Sequence, residues 1–241
     1  MSPFDLTGRR IMITGGASGI GAAAARLCAQ LGATAIIADR QDAGAVCAAI
    51  ALAGGHAESI AFDVTDRTAV ERAVAASGRI DGLVACSGIL PFADWDDADW
   101  DEAFARTSDV NVRGVLLCAR AVLPGMIERR DGRIVLISSV AARMGGLLSG
   151  PHYVASKGAI NAVLKWLARR GAPHNVLVNG VAPGLTQTPM VAGQQANLAA
   201  IPVGRAATPE EIAGPIAFLL SPAASYVCGL MLDVNGGVYM G

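Results

Sequence analysis

Short apolar runs alternate with stretches of helical periodicity along most of the chain. Seven runs are predicted to form strands, at 10–14, 34–39, 57–62, 80–85, 133–138, 176–181 and 230–234. Because helical stretches separate these runs, the strands are expected to pair in parallel, with helices covering both faces. The pattern predicts an α/β fold built on one doubly wound parallel sheet of about seven strands.

The helix after the first strand has the clearest periodicity. Its apolar residues recur at intervals of three and four from Ile20 to Leu31, and Gly32 is predicted to end it. Two further long helical stretches are expected at 101–128 and 152–170. A segment at about 185–204, rich in small residues and turn formers, is predicted to be a small lid over a pocket.

Composition supports one compact domain spanning residues 1–241. Of the 241 residues, 53% are hydrophobic and 16% are charged, which suits a sheet buried on both faces. A net charge of -1 without long basic runs argues against nucleic acid or a membrane as a partner. Five cysteines without C-x-x-C spacing indicate neither a metal site nor a disulfide framework, and with no secretory signal a cytoplasmic protein is expected.

A glycine-rich turn follows the first strand. Gly15, Gly19 and Gly21 lie between strand and helix, where a missing side chain lets the backbone approach a pyrophosphate. The spacing is G-x-x-x-G-x-G rather than G-x-G-x-x-G, so the glycines alone leave a purely structural alternative open.

Asp39 closes the second strand, where a carboxylate can accept hydrogen bonds from an adenosine ribose and repel a phosphate on it. NAD is therefore favoured over NADP. Arg40 is the counterargument, since its guanidinium could turn toward a phosphate. Asp63 follows the third strand and could contact adenine, although a helix N-cap before Val64 is an ordinary alternative.

Tyr153 and Lys157 are four residues apart, on one face of a predicted helix. The lysine ammonium and an oxidised nicotinamide would both favour the phenolate and lower the tyrosine pKa, so Tyr153 could act as base toward an alcohol or as acid toward a ketone. Ser139 ends the fifth predicted strand, at the edge where such sheets bind ligands, and could hydrogen-bond the reacting oxygen. Ser138 competes for that position, because strand alternation turns only one of the two toward the cleft.

Together these motifs resemble the short-chain dehydrogenase/reductase family over essentially the whole chain. The resemblance implies a Rossmann-type fold, NAD-dependent oxidoreductase activity on a secondary alcohol or ketone, and a homotetramer or homodimer. It implies that Tyr153 is the acid/base, that Lys157 lowers its pKa and binds the nicotinamide ribose, that Ser139 orients the substrate, and that Asn111 holds a proton-relaying water. The cofactor residues it implies are Gly15, Ser18, Gly19, Ile20, Gly21, Asp39, Arg40, Asp63, Val64, Tyr153, Lys157, Pro183, Gly184, Thr186 and Thr188.

The sequence departs from the family pattern at two places. Ala85-Cys86-Ser87-Gly88 stands where the family has Asn-Asn-Ala-Gly, so the asparagine that usually braces the sheet is missing. The interval from Ser139 to Tyr153 is about one residue longer than the commonest form, which a longer loop through Gly145 and Gly146 could absorb.

Two other functions stay open. One is a 3-oxoacyl-[acyl-carrier-protein] reductase, for which the family usually needs NADPH and a basic docking surface. The other is a regulatory protein that binds NAD without turnover. The loops expected to select the substrate, at 90–95, 141–150 and 188–198, are mostly apolar or small and favour a neutral or weakly polar alcohol or ketone. Arg143 is the one cation in these loops that could bind a carboxylate.

Overall fold

A computed structural model describes residues 2–146, 149–195 and 197–241. Seven parallel strands form one sheet in the order β3-β2-β1-β4-β5-β6-β7. All seven predicted strands are present, with ends that differ by no more than two residues from the predicted ones. They are β1 (Arg10–Thr14), β2 (Thr34–Asp39), β3 (His56–Ala61), β4 (Gly82–Ala85), β5 (Gly132–Ile137), β6 (Val176–Pro183) and β7 (Met231–Val234).

Helices cover both faces of the sheet, as the alternating pattern predicts. Their bounds are α1 (Gly19–Gln30), α2 (Gly44–Leu52), α3 (Arg67–Ala76), α4 (Trp100–Ser108), α5 (Val115–Arg129), α6 (Ala141–Met144), α7 (Pro151–Gly171) and α8 (Pro209–Leu220). Buried side chains of α1, α2 and α8 form one core against the sheet. Those of α3, α5 and α7 form the other.

The predicted helix at 101–128 is interrupted. A π-helical turn, Asp109–Gly114, separates α4 from α5. The wider turn carries Asn111, which is fully buried and hydrogen-bonded outside the helix, so a tertiary contact accompanies the irregularity. Periodicity alone cannot show a single extra residue in a turn.

The stretch from Trp100 to Arg129 is long and apolar enough to cross a membrane by length and composition alone. In the structure its α5 part packs on the sheet through buried side chains such as Cys118, Val122 and Met126. That packing is typical of a core helix.

The order of the strands fixes where a ligand can lie. The chain leaves β1 toward β2 on one side, while β4 lies on the other side of β1, so the sheet reverses direction between β1 and β4. In open α/β sheets, ligands bind at this point, beyond the carboxyl ends of the strands. Thr14, Ala38 and Ala85 lie side by side there.

Candidate active site

A cleft of about 660 Å³ lies along the carboxyl ends of the strands. Its walls come from the loops after β1, β2, β3, β4, β5 and β6, from α7 and from the C-terminal segment. Sixteen of the seventeen residues proposed from the sequence line it, and Asn111 is the exception. The sixteen are Gly15, Ser18, Gly19, Ile20, Gly21, Asp39, Arg40, Asp63, Val64, Ser139, Tyr153, Lys157, Pro183, Gly184, Thr186 and Thr188.

The glycine-rich turn needs its glycines on steric grounds. A Cβ on Gly15 would lie 2.9 Å from the Cα of Ser87, and one on Gly21 would lie 2.1 Å from the carbonyl oxygen of Gly15. Gly15 also has a φ of 68°. Ser18 is the N-cap residue of α1, yet its side chain caps no backbone N–H, and the first turn of α1 holds no acidic residue. The helix N-terminus is thus available to an anionic ligand.

Hydrogen bonds from two neighbouring segments fix the loop after β4, although this chain lacks the asparagine that the family usually has there. The amide nitrogens of Cys86 and Ser87 donate to Oγ1 of buried Thr14 at 3.1 and 3.2 Å. On the other side, the amide nitrogen of Ile89 donates to Oδ1 of Asn111 at 2.8 Å, and Nδ2 of Asn111 donates to the Ile89 carbonyl oxygen at 3.0 Å. Thr14 and Asn111 therefore fix the loop despite Cys86.

Asp39 connects two loops at one end of the cleft. Its carboxylate accepts hydrogen bonds from the amide nitrogens of Ala17 and Gln41, each at 3.0 Å. Arg40 and Asp63 line the same end. The bonds orient the Asp39 carboxylate beside the glycine-rich turn.

Asp63 is not the helix N-cap that the sequence left open as an alternative. Its Oδ1 accepts hydrogen bonds from the backbone N–H and the hydroxyl of Thr65, both at 2.8 Å. The N-cap of α3 is Asp66, which accepts from the amide nitrogen of Ala69. The Thr65 bonds, with a smaller contribution from the charge of Arg40, hold the pKa of Asp63 below its usual value.

The two serines after β5 face different partners. The Ser138 hydroxyl is buried and donates to the carbonyl oxygen of Lys157 in α7 at 3.0 Å. The Ser139 hydroxyl accepts from the amide nitrogen of Ala141 at 3.1 Å. Of the two serines, Ser139 is the one whose hydroxyl lowers the pKa of Tyr153.

Tyr153 and Lys157 lie one turn apart in α7, and both are buried, with exposures of 9% and 6%. Nζ of Lys157 donates to the carbonyl oxygen of Ile137, the last residue of β5, at 2.9 Å. The same Nζ lies 5.6 Å from the centroid of the Tyr153 ring. A Cβ on Gly88 would approach Nζ to 3.6 Å, so the glycine after β4 leaves room around the ammonium.

Burial dominates the acid–base behaviour of this pair. It lowers the pKa of Lys157 from 10.5 to about 8. It also raises the pKa of Tyr153 above its usual value of 10.0, although the hydroxyl of Ser139 partly offsets the rise. The sequence-based expectation of a lowered tyrosine pKa invoked both the Lys157 ammonium and a bound oxidised nicotinamide. In the protein without that cofactor, burial raises the tyrosine pKa instead.

The side chain of Asn111 forms hydrogen bonds with other groups of the protein. Besides its two bonds to Ile89, its Nδ2 donates to the hydroxyl of Ser156 at 3.1 Å, and that hydroxyl donates to the carbonyl oxygen of Tyr153 at 2.7 Å. Asn111 therefore links the loop after β4 to the helix of Tyr153. Its role in holding a relay water stays a prediction.

The loop after β6 forms another wall of the cleft. A Cβ on Gly184 would lie 2.8 Å from the Cα of Asn235, which fixes the turn against the loop after β7. The hydroxyl of Thr186 donates to the Gly184 carbonyl oxygen at 3.1 Å. The methyl group of Thr188 lies 3.2 Å from the position of a Cβ on Gly19, so the loop touches the glycine-rich turn. Residue 196 of the predicted lid and residues 147–148 lie outside the described residues.

Sequence reasoning missed several residues of the cleft. Gln41 and Phe62 lie within two residues of the ends of β2 and β3, so the rule that ligands bind at strand carboxyl ends could have identified them. Cys86 was noticed only as a departure from a pattern, yet it lines the cleft, where burial raises the pKa of its thiol to about 11. Val238 lies in the C-terminal segment, and no local signal predicts its position.

Comparison with known proteins agrees with this arrangement. The sequence model of the family described as Enoyl-(Acyl carrier protein) reductase matches residues 15–239. A cis-4-hydroxycyclohexanecarboxylate dehydrogenase of Sinomonas cyclohexanicum is 40% identical, with 95% of this chain and 96% of that protein aligned. A 3-oxoacyl-[acyl-carrier-protein] reductase, FabG, of Thermotoga maritima is 37% identical, over 97% and 98% of the two chains.

A solved structure has the same fold. It is described as a putative NAD(P) dependent gluconate 5-dehydrogenase from Beutenbergia cavernae with bound NADP at low occupancy. It is 36% identical, covers 98% of this chain and 99% of its own, and superposes with a TM-score of 0.93. With a Rossmann-type sheet and relatives matched over their full length, the chain belongs to the short-chain dehydrogenase/reductase family and is an NAD(P)-dependent oxidoreductase that acts on CH–OH groups.

Proposed function

We propose that this enzyme transfers a hydride between NAD and a secondary alcohol or ketone, with Tyr153 as the general acid/base. The observation that carries the proposal is the meeting of Ser139, Tyr153 and Lys157 in the cleft that the glycine-rich turn also lines. Because nucleotide site and proton-transfer group share one cavity, a bound alcohol can contact both.

The residues present fit a dinucleotide. Side chains are sterically excluded at Gly15 and Gly21, and the first turn of α1 carries no acid, so backbone N–H groups are left for a pyrophosphate. Asp39 would hold the adenosine ribose, and Lys157 the nicotinamide ribose. When bound, the oxidised nicotinamide supplies a hydride acceptor and a positive charge.

Proton transfer rests on Tyr153. In alcohol oxidation its phenolate takes the hydroxyl proton, and in ketone reduction its phenol donates one. Ser139 orients the substrate oxygen toward it. Since Lys157 retains its ammonium at pH values below about 8, it stabilises the phenolate at neutral pH and opposes the effect of burial. Asn111 fixes the helix of Tyr153 to the loop after β4.

NAD is the cofactor we favour. A 2′-phosphate on the adenosine ribose would meet the carboxylate of Asp39, which its bonds to Ala17 and Gln41 hold in place. Arg40 lies at the same end and would be the residue to favour NADP.

A 3-oxoacyl-[acyl-carrier-protein] reductase using NADPH is the second candidate, which the match to the FabG protein of Thermotoga maritima favours. The carboxylate of Asp39 argues against this candidate, because it would repel the 2′-phosphate of NADPH. Activity on an acetoacetyl thioester with NADPH, greater than that on any free alcohol or ketone, would establish this alternative. A regulatory protein that only senses NAD is the third, and it would lose nothing when Tyr153 is replaced.

The proposed reaction is tested by a spectrophotometric screen of secondary alcohols and ketones with NAD, NADP and their reduced forms. Cyclic alcohols belong in the screen because the Sinomonas relative is a cis-4-hydroxycyclohexanecarboxylate dehydrogenase. Formation of NADH from at least one alcohol is expected. Nucleotide binding without hydride transfer to or from any member of the screen would contradict the proposal.

We place the enzyme in the cytoplasm, in keeping with its five free cysteines. We also propose a homotetramer or homodimer. Apolar side chains exposed on α4, α5 and α7 support self-association through these helices: Phe104, Leu116 and Trp166.

A further inference from the structure

The cleft is uncharged at the end that lies beyond Tyr153. Its lining there is mostly apolar, and Ser149, Gln195 and Asn197 add neutral polar groups. The charged residues that line the cleft in the described part of the chain are Asp39, Arg40, Asp63 and Lys157. The first three lie at the β2 and β3 end, and Lys157 is bonded to Ile137. The apolar lining consists of Leu90, Met144, Leu185, Met190, Ile201 and Val238.

Arg143 directly precedes Met144 of this lining, but its side chain contacts Asp233 and Tyr239 instead. Its guanidinium forms two hydrogen bonds with the carboxylate of Asp233, both at 3.3 Å. It also lies over the ring of Tyr239, 5.7 Å from the centroid. Arg143 is not among the residues that line the cleft. Its charge is thus paired with an acid and lies beside an aromatic ring, although the side chain stays 29% exposed.

The same contacts build one wall of the cleft. Arg143 links α6 to β7 and to the C-terminal segment, where Oδ1 of Asn235 accepts from the amide nitrogen of Gly237 at 2.9 Å. The next residue, Val238, lines the cleft. Arg143 therefore ties α6 to β7, the strand that precedes this wall, and it would have to leave Asp233 to contact a substrate.

We infer that the enzyme selects alcohols and ketones that carry no charge on the part remote from the reacting oxygen, because that part enters a neutral end bounded by Met144, Met190 and Val238. The inference rests on the proposed hydride transfer at Tyr153. A carboxylate in this end would meet no cation among the described lining residues and would lose part of its hydration to the apolar side chains. Because Met144 and Met190 are themselves 39% and 41% exposed, that loss is partial and disfavours the carboxylate by about 10-fold relative to a neutral ester or amide.

A matched pair of substrates tests the inference. The probes are cis-4-hydroxycyclohexanecarboxylate and its methyl ester, which differ in charge at the remote group, assayed as kcat/KM with NAD. The ester is expected to be oxidised about 10-fold more efficiently. Equal efficiency, or a preference for the carboxylate, would overturn the inference and leave hydride transfer at Tyr153 intact. Absence of turnover with every alcohol of the screen would instead contradict the proposed function.

A charge placed in the neutral end gives a second, independent test. Met144→Lys puts an ammonium on the lining at nearly constant length, and Met144→Gln is the uncharged control. The lysine variant is expected to raise the carboxylate-to-ester ratio by about 10-fold over the wild type, whereas the glutamine variant leaves it within about 2-fold. An equal ratio in both variants would overturn the placement of the remote group beside Met144.

Discussion

Nζ of Lys157 lies 5.6 Å from the centroid of the Tyr153 ring, while it donates a hydrogen bond to the carbonyl oxygen of Ile137. Strand β5 thus positions the ammonium, and α7 positions the phenol. Since the lysine is held independently of the tyrosine, its charge stays close whichever protonation state Tyr153 adopts. The pair can support acid and base steps from one geometry.

The buried Lys157 should leave a signature in the pH dependence of stability. Its pKa falls from 10.5 in the unfolded chain to about 8 in the fold. Below pH 8 Lys157 is protonated in both the folded and the unfolded chain, so folding bears the full free-energy cost of burying its charge. Between pH 8 and 10.5 the unfolded chain holds more protons, so this cost is relieved as the pH rises.

The difference in the free energy of unfolding between wild type and Lys157→Met should therefore shift in favour of the wild type by about 1–3 kcal/mol from pH 7.5 to 10. Urea unfolding of both proteins across this range measures it. Taking the difference cancels the buried thiols of Cys28 and Cys118, whose pKa values burial raises to about 12 in both proteins. Two parallel stability curves would contradict an ammonium buried in the fold.

Thr14 should stabilise both the fold and the nucleotide site. Thr14→Val removes the Oγ1 acceptor of the Ser87 amide nitrogen and one of the two acceptors of the Cys86 amide nitrogen, and it is expected to cost about 1–3 kcal/mol of folding free energy. The Kd for NAD should rise as well, because the loop after β4 borders the cleft. Thr14→Ser keeps the hydroxyl and serves as the control. If valine and serine variants unfold at the same urea concentration, the proposed bracing is wrong.

Asp39 should control the choice of cofactor through its charge. Asp39→Asn keeps an oxygen that can accept from Ala17 or Gln41 but removes the repulsion of a phosphate, so the ratio of kcat/KM for NAD over NADP should fall about 10-fold or more. The control is Asp42→Asn, an exposed carboxylate nearby that does not line the cleft. An unchanged ratio in Asp39→Asn would refute the explanation of cofactor preference.

Self-association should depend on the exposed apolar side chains of the long helices. Trp166, 59% exposed on α7, is expected to lie in a contact between copies of the chain. Sedimentation velocity should show a dimer or tetramer for the wild type and a smaller species for Trp166→Glu. Leu52→Glu, on α2 and 90% exposed, controls for the added charge. A monomeric wild type would contradict the proposed assembly.

The sheet could be predicted almost completely from the sequence, because each parallel strand is a local apolar run between helices. The carboxyl ends of those strands then brought Gly15, Asp39 and Ser139 to one edge without further information. These features depend on pattern and topology, which short segments encode.

Features that depend on contacts between distant segments could not be predicted. The π-helical turn around Asn111 accompanies bonds to Ile89, 22 residues away. The upward shift in the pKa of Tyr153 needs a burial that only the folded chain shows. Arg143 pairs with Asp233, which lies 90 residues further along the chain. The sequence alone could not show this contact, so it left Arg143 as a candidate to bind a substrate carboxylate.

The most direct test of proton transfer at Tyr153 is to measure NAD binding and alcohol oxidation together in Tyr153→Phe. The hydroxyl is the only group removed, so the Kd for NAD should stay within about 2-fold, while kcat falls by about 1,000-fold. Tyr226→Phe, at a fully exposed tyrosine, should match the wild type in both measurements. Turnover in Tyr153→Phe at the wild-type rate, with NAD bound, would show that another group transfers the proton.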